Sequence, residues 1–152
     1  RAEFVAMMNT LNLNMPTHLT EALRVNMSGG SSVSDLLAEA SARVPFMAFD
    51  SLCALVDARP NDLVILDVRE HNEYLSGHIP GAVHIPRGQL ELRANLELPD
   101  PTMRIVSYCE FGKVSTLATD TLRQMGYARA VALDGGFAAW RAQDLPLEPG
   151  HA

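Results

Sequence analysis

Ile105-Val106-Ser107-Tyr108-Cys109-Glu110-Phe111-Gly112-Lys113-Val114-Ser115 is the stretch on which the reading of this chain turns. Ile105 to Tyr108 is an apolar run that predicts a buried strand. Downstream, Leu117, Ala118, Thr121, Leu122 and Met125 recur at the spacing of one helix face. Cys109 therefore falls on a strand-to-helix turn. Such a turn aims successive backbone N–H groups inward and lies at the positive end of a helix dipole. Both effects favour an anion in the loop, and both favour the thiolate form of a cysteine there. Gly112 lets the backbone bend where a side chain would collide.

Working outward, Leu63-Val64-Ile65-Leu66 is apolar on both faces, as suits a central parallel strand, and it ends at Asp67-Val68-Arg69. Functional groups in open α/β sheets gather beyond the carboxyl ends of strands. A short helix is predicted over His71–Ser76, then a tight connection, Gly77 to Gly81, into a strand over Ala82–Ile85. Leu90 to Leu96 reads as helix, closed by Pro99. Gly126 ends the helix after the cysteine turn. Ala130 to Leu133 reads as strand, and Asp134-Gly135-Gly136 turns into a last helix carrying Trp140 as a packing anchor. Before all this, Met47-Ala48-Phe49 is a predicted edge strand, and a helix capped by Asp50 or Ser51 places Cys53 among Leu52, Leu55 and Val56. Ser34 is the expected cap of a helix over Asp35–Arg43. Short strands alternating with helices predict an α/β fold of three layers, with a central parallel sheet of about five strands flanked by helices.

The chain has 152 residues, 47% of them hydrophobic, enough for one domain plus an appendage. Its net charge of −6 argues against nucleic acid and against anionic membrane surfaces. No apolar run approaches the length of a membrane span. The two cysteines, Cys53 and Cys109, suggest no disulfide framework, and a reducing, cytoplasmic compartment is the expectation. His78 and His84 fit no compact metal site by spacing, and no metal or other cofactor is expected. The chain divides into residues 1–27, a linker with a short helix over 28–44 (Ser28-Gly29-Gly30-Ser31-Ser32 by composition), and a main domain over 45–150.

Several motifs in order resemble the rhodanese family of sulfurtransferase domains. They are Leu66-Asp67-Val68-Arg69 with Glu73-Tyr74, Gly77-His78-Ile79-Pro80-Gly81-Ala82-Val83-His84-Ile85-Pro86, the Cys109 loop, Gly126-Tyr127, and Leu133-Asp134-Gly135-Gly136-Phe137-Ala138-Ala139-Trp140. The resemblance implies a sulfane sulfur carried as a persulfide on Cys109. Donors would be thiosulfate or glutathione persulfide, and acceptors glutathione, another small thiol, or cyanide. Glu110, Phe111, Gly112, Lys113, Val114 and Ser115 would line the sulfur, with Arg69 and Arg87 as anion contacts and Asp67 and His78 as loop supports. Lys113, the sole lysine of the chain, would attract an anionic donor. Glu110 stands where the family often has a basic or neutral residue, and Val114 where arginine is frequent, which tilts the expectation toward persulfide donors. Glu110 either repels anions beside the sulfur or turns outward to an arginine such as Arg69 or Arg87.

Residues 1–27 lie outside that pattern. Phe4, Met8-Asn9, Leu11-Asn12-Leu13, Pro16, Ala22 and Asn26 resemble the C-terminal tail of persulfide dioxygenases of the metallo-β-lactamase fold. This implies a piece of a dioxygenase–rhodanese fusion, whose iron ligands would lie upstream; a separate dioxygenase partner and a plain amphipathic extension are the alternatives. Two rival functions share the main-domain fold. One is a non-catalytic interaction module. The other is a dual-specificity phosphatase, whose loop also begins Cys-Glu-Phe but is one residue longer and ends in a phosphate-clamping arginine. Here Ser115 is the sixth residue after the cysteine.

Overall fold

The computed structural model of the chain describes residues 30–150. The dioxygenase-like segment of residues 1–27 lies outside those residues. Helix α1 (Val33–Arg43) is the first described element. Its cap is Ser32, two residues before the expected Ser34: the Ser32 hydroxyl accepts the Asp35 N–H, and the Asp35 carboxylate accepts the Ser32 N–H. That reciprocal pair satisfies two donors that the first helical turn leaves open.

Next in the chain come β1 (Phe46–Met47), α2 (Phe49–Ala58), β2 (Leu63–Asp67), α3 (His71–Ser76) and β3 (Val83–His84). A 3-10 turn at Arg87–Gln89 leads into α4 (Leu90–Glu97), followed by β4 (Arg104–Tyr108), α5 (Lys113–Gln124), β5 (Ala130–Leu133) and α6 (Gly136–Ala142). The strands form one parallel sheet in the order β1-β5-β4-β2-β3, flanked by helices. Phe49, expected in the edge strand, opens α2 instead. Two backbone bonds, Ala132 N–H to the Pro45 carbonyl and Asp134 N–H to the Met47 carbonyl, bracket the short strand before the chain turns away. Neither Asp50 nor Ser51 caps α2; Ala48 occupies that position with no side-chain bond.

Alternation along the strands divides the core in two. Leu66 and Ile105 face one side with Leu90, Ala118, Leu122 and Tyr127 from the α4–α5 layer. Ile65, Val106 and Tyr108 face the other with Leu52, Phe137 and Trp140 from the α2–α6 layer. Cys109 belongs to the first cluster, and Cys53 packs against the second. The central strands β2 and β4 are in register, with Asp67 beside Tyr108. Their carboxyl ends thus open side by side, and the loop that starts at Cys109 rises from that edge. Trp140 anchors the α6 side, donating its indole N–H to the Pro146 carbonyl at 2.9 Å and meeting Phe49 edge-on.

Candidate functional site

Cys109 follows β4 directly, and the residue is 5% exposed, lining a cleft of about 470 Å³. The loop closes around it. The Gly112 N–H points at Sγ from 3.1 Å and the Ser115 N–H from 3.3 Å, and the Ser115 hydroxyl lies 3.4 Å away. These are the first turn of α5 and the residue before it, so the loop delivers helix N-terminal donors to one atom. Gly112 makes the bend at φ +104°, a left-handed conformation that disfavours a side chain. Ser115 donates to the Gly112 carbonyl at 3.2 Å. As a thiol, Cys109 donates to Ser115 Oγ; as a thiolate, it can accept the Ser115 proton if the hydroxyl turns away from Gly112.

Behind the loop is a buried charged network. Asp67, fully buried at the end of β2, accepts Arg69 N–H at 2.9 Å, the Arg69 guanidinium at 2.7–3.1 Å and the Tyr108 hydroxyl at 2.7 Å. Arg69 also donates to the Gly77 carbonyl at 2.8 Å, and the Ile79 N–H donates to the Tyr108 oxygen at 3.1 Å. Burial is the largest single influence on Arg69 and lowers its pKa, but the Asp67 bonds and charge outweigh it and hold the guanidinium above its ordinary value. Burial, then the Asp67 charge, pushes the Tyr108 hydroxyl well above the usual tyrosine range, so it stays protonated and donates. Tyr108 was legible in the sequence only as a strand residue; a polar tip at the end of an apolar run, one residue before Cys109, was the available signal.

The first turn of α6 holds the loop from the other side. Phe137 N–H donates to the Cys109 carbonyl at 2.8 Å and Ala138 N–H to the Glu110 carbonyl at 3.0 Å. Gly136, at φ +63°, brings its backbone so near that a Cβ there would lie 2.7 Å from the Cys109 oxygen and 2.6 Å from the Glu110 oxygen. The sequence showed this glycine pair only as a turn; its use as a close contact with the loop depends on the fold. Gly136→Ala is expected to shift the loop and cost about 1–3 kcal/mol from the strained φ alone. Chemical denaturation would give the stability, and Cys109 alkylation rates would report the altered cradle.

The remaining sequence candidates divide. Glu110, Phe111, Lys113, Val114 and Arg69 line the cleft with Cys109, joined by Val68, Glu70 and Glu73. Phe111 and Val114 are exposed at its rim, 73% and 42%. Lys113 is exposed and makes no ion pair among the described residues. The Glu110 carboxylate turns to arginines: it pairs with Arg141 of α6 and lies 3.8 Å from Arg69. Arg87 points elsewhere, to Glu91 at 2.6 Å and the Thr121 hydroxyl at 3.1 Å, and is not part of the cleft. His78 is buried away from the sulfur, its ring stacked on Tyr74 at 3.9 Å and its Nε2 3.5 Å from the Glu148 carboxylate. It steadies the connection whose Gly77 carbonyl Arg69 binds. His84 stacks on the other face of Tyr74 and donates from Nε2 to the Arg69 carbonyl at 2.8 Å. Among the described residues no cluster of three or more His, Cys, Asp or Glu side chains is arranged to hold a metal ion, and no helix is long and apolar enough to cross a membrane.

Cys53 sits in a different setting, half-buried beside a cavity of about 260 Å³ with Val56, Asp57 and Trp140. Burial, then the charges of Asp50 and Asp57, pushes its thiol up. It is poorly placed to act as a nucleophile.

Residues 49–143 match the family model of the rhodanese-like domain. A sulfurtransferase of Allochromatium vinosum is 34% identical over 90 residues, 59% of this chain and 82% of that protein. The thiosulfate sulfurtransferase structure of Pseudomonas aeruginosa superposes with a TM-score of 0.68 at 33% identity, covering 79% of this chain and 23% of that one. A Rhodopseudomonas palustris structure of unknown function, described as a possible tyrosine phosphatase, gives 0.70 at 31% identity, covering 78% and 95%. Against other curated relatives the chain spans from 17% to 75% of the relative's own length. The five-stranded parallel sheet, the cysteine loop at its carboxyl edge and the match across residues 49–143 agree, and the chain belongs to the rhodanese-like domain family.

Proposed function

We propose that this domain is a sulfurtransferase that moves a sulfane sulfur from thiosulfate or a small-molecule persulfide, such as that of glutathione, to a thiol or to cyanide through a persulfide on Cys109. One observation carries the reading: two backbone N–H groups, of Gly112 and Ser115, converge on Cys109 Sγ from 3.1 and 3.3 Å. Donors so placed stabilise an anionic sulfur without any further base.

The Cys109 thiolate attacks the outer sulfur of thiosulfate. A new S–S bond forms to Cys109, the old S–S bond breaks, and its electron pair leaves on sulfite. With a persulfide donor the leaving group is the parent thiolate. The terminal sulfur of Cys109–S–S⁻ is then attacked by an acceptor thiolate or by cyanide, and the electron pair of the breaking bond returns to Cys109. The loop amides face the charge in each anionic state, while the Asp67–Arg69–Tyr108 network keeps the strand ends fixed beneath it. Incubation with thiosulfate or glutathione persulfide should raise the intact mass by one sulfur atom, located on Cys109 by peptide mapping and discharged by cyanide. No mass gain with either donor would sink the reading.

A phosphatase reading is supported by likeness of fold and by the Cys109-Glu110-Phe111 opening of the loop. The loop from Cys109 to Ser115 carries no arginine, and its sixth residue after the cysteine is a serine whose hydroxyl contacts the sulfur. A phosphate would lack the bidentate clamp that such a reaction uses.

Lys113 is the cation of the cleft that no partner among the described residues neutralises. Lys113→Ala is expected to weaken thiosulfate use by less than about tenfold, as suits one exposed charge contact. It should affect a neutral trisulfide donor less, and the loss should shrink in high salt. Steady-state rates with both donors at two ionic strengths check this; a loss independent of salt and donor charge would remove the electrostatic role.

A further inference from the structure

We infer that Arg141 is a positioning residue for donor selection: it holds the Glu110 carboxylate aside from Cys109, so that an anionic sulfur donor can enter the cleft. The inference rests on the sulfurtransferase reading and adds to it a residue outside the active loop.

Glu110 adjoins the nucleophile and lines the same cleft as Cys109 and Lys113. A free carboxylate there would oppose every anion that approaches the sulfur. The structure instead gives it two arginines. Arg141, on the last turn of α6, pairs with one carboxylate oxygen, and Arg69 lies 3.8 Å from the other. The ring of Phe137 stands between the two cations, 4.0 Å from the Arg69 guanidinium carbon and 5.2 Å from that of Arg141. The two arginines are not equivalent. Arg69 is buried and committed to Asp67 through several bonds, and its contact with Glu110 is the longer one. Arg141 is the partner that fixes the direction of the Glu110 side chain.

The pair contributes little to folding stability. Arg141 is half-exposed, and exposed ion pairs are weak. The backbone of the loop is already gripped by Phe137 and Ala138 through the Cys109 and Glu110 carbonyls. What the side-chain pair adds is direction. Without Arg141, Glu110 keeps only the distant edge of an arginine already occupied, and its flexible side chain can swing over the sulfur.

Arg141→Ala should therefore raise KM for thiosulfate about fivefold, the effect of one unit charge near a surface, with a smaller change in kcat. A neutral dialkyl trisulfide should be affected less. Arg141→Lys should keep most of the wild-type preference, since a cation remains. In a Glu110→Gln background the bias introduced by Arg141→Ala should largely disappear, because the charge that Arg141 restrains is gone. A bias kept in full there would show that Arg141 attracts anions by itself, and would overturn the positioning role. Equal loss with charged and neutral donors, or no loss, would overturn it as well. A second readout avoids sulfur transfer altogether. The rates of Cys109 alkylation by iodoacetate and by iodoacetamide, resolved by peptide mass, should show a lower charged-to-neutral ratio in Arg141→Ala and recovery in the double variant. If wild type takes up no sulfur, the sulfurtransferase reading fails while this ratio still decides the role of Arg141.

Discussion

Replacing Cys109 by serine is expected to bring sulfur transfer down to the background of the buffer, while Cys53→Ser stays close to wild type. The serine oxygen would occupy the same cradle, with the Gly112 and Ser115 N–H groups still aimed at it. It would hold a proton at neutral pH and form no bond to a sulfane sulfur, so the loop would be intact and inert. Cys53 lies on the α2–α6 side of the sheet, and its thiol is pushed up by burial and by Asp50 and Asp57. It lacks a loop of amides and stays protonated, which keeps it a poor nucleophile. Persulfide formation by intact mass and cyanide-discharge rates, measured on both variants, check the pair of expectations. Equal loss in both would mean that Cys53 takes part in transfer. Retained uptake in Cys109→Ser would mean that the sulfur is carried elsewhere.

The second large effect is expected in the network beneath the loop. Asp67→Ala removes the carboxylate that neutralises Arg69 and accepts the Tyr108 hydroxyl, leaving a guanidinium buried to 5% exposure with only the Gly77 carbonyl and a distant Glu110. Breaking a buried ion pair from one side costs about 3–5 kcal/mol, because the remaining charge is uncompensated. For a domain of this size that lowers Tm by about 10–20 °C. Removing both charges with apolar residues of similar bulk, as in Asp67→Leu with Arg69→Met, should restore much of that stability. Activity should not return with it. The apolar pair cannot accept Tyr108 or bind the Gly77 carbonyl, so the strand ends that set the loop geometry lose their bonds. Denaturant unfolding and persulfide formation on the single and double variants separate the two effects. A single variant as stable as wild type would show that Arg69 finds another partner. A double variant with full activity would show that the network serves stability alone.

The positioning of Glu110 has the same logic at the surface. The sequence offered two accounts of this carboxylate, repulsion beside the sulfur or an outward turn to an arginine such as Arg69 or Arg87. Arg69 is within reach, Arg87 is occupied by Glu91 and Thr121, and the main partner is Arg141. Arg141 is 31 residues away in sequence, and it reaches the loop only because α6 starts against the backbone of Cys109 and Glu110.

Much of the architecture was written in local pattern. Apolar runs on both faces marked Leu63–Leu66 and Ile105–Tyr108 as central strands, and a helical face after Gly112 placed Cys109 on a strand-to-helix turn. These features are short-range: alternation, period and a glycine bend are properties of neighbouring residues, so one sequence displays them. The boundaries of β1 and α2 were not legible, because Phe49 suits a strand or a helix, and the backbone bonds to β5 decide. Which groups meet across the fold is also not a local property. That Tyr108 bonds Asp67 follows from the register of β2 against β4. That Gly136 must be glycine follows from the approach of α6 to two carbonyls of the loop. The sequence by itself determined the kind of sheet, the place of Cys109 and the amide-lined turn that holds it. The tertiary structure alone decided the partners of the charges around that turn, because a buried or half-buried carboxylate is governed by whichever cation packing brings within a few ångströms, whatever their separation along the chain.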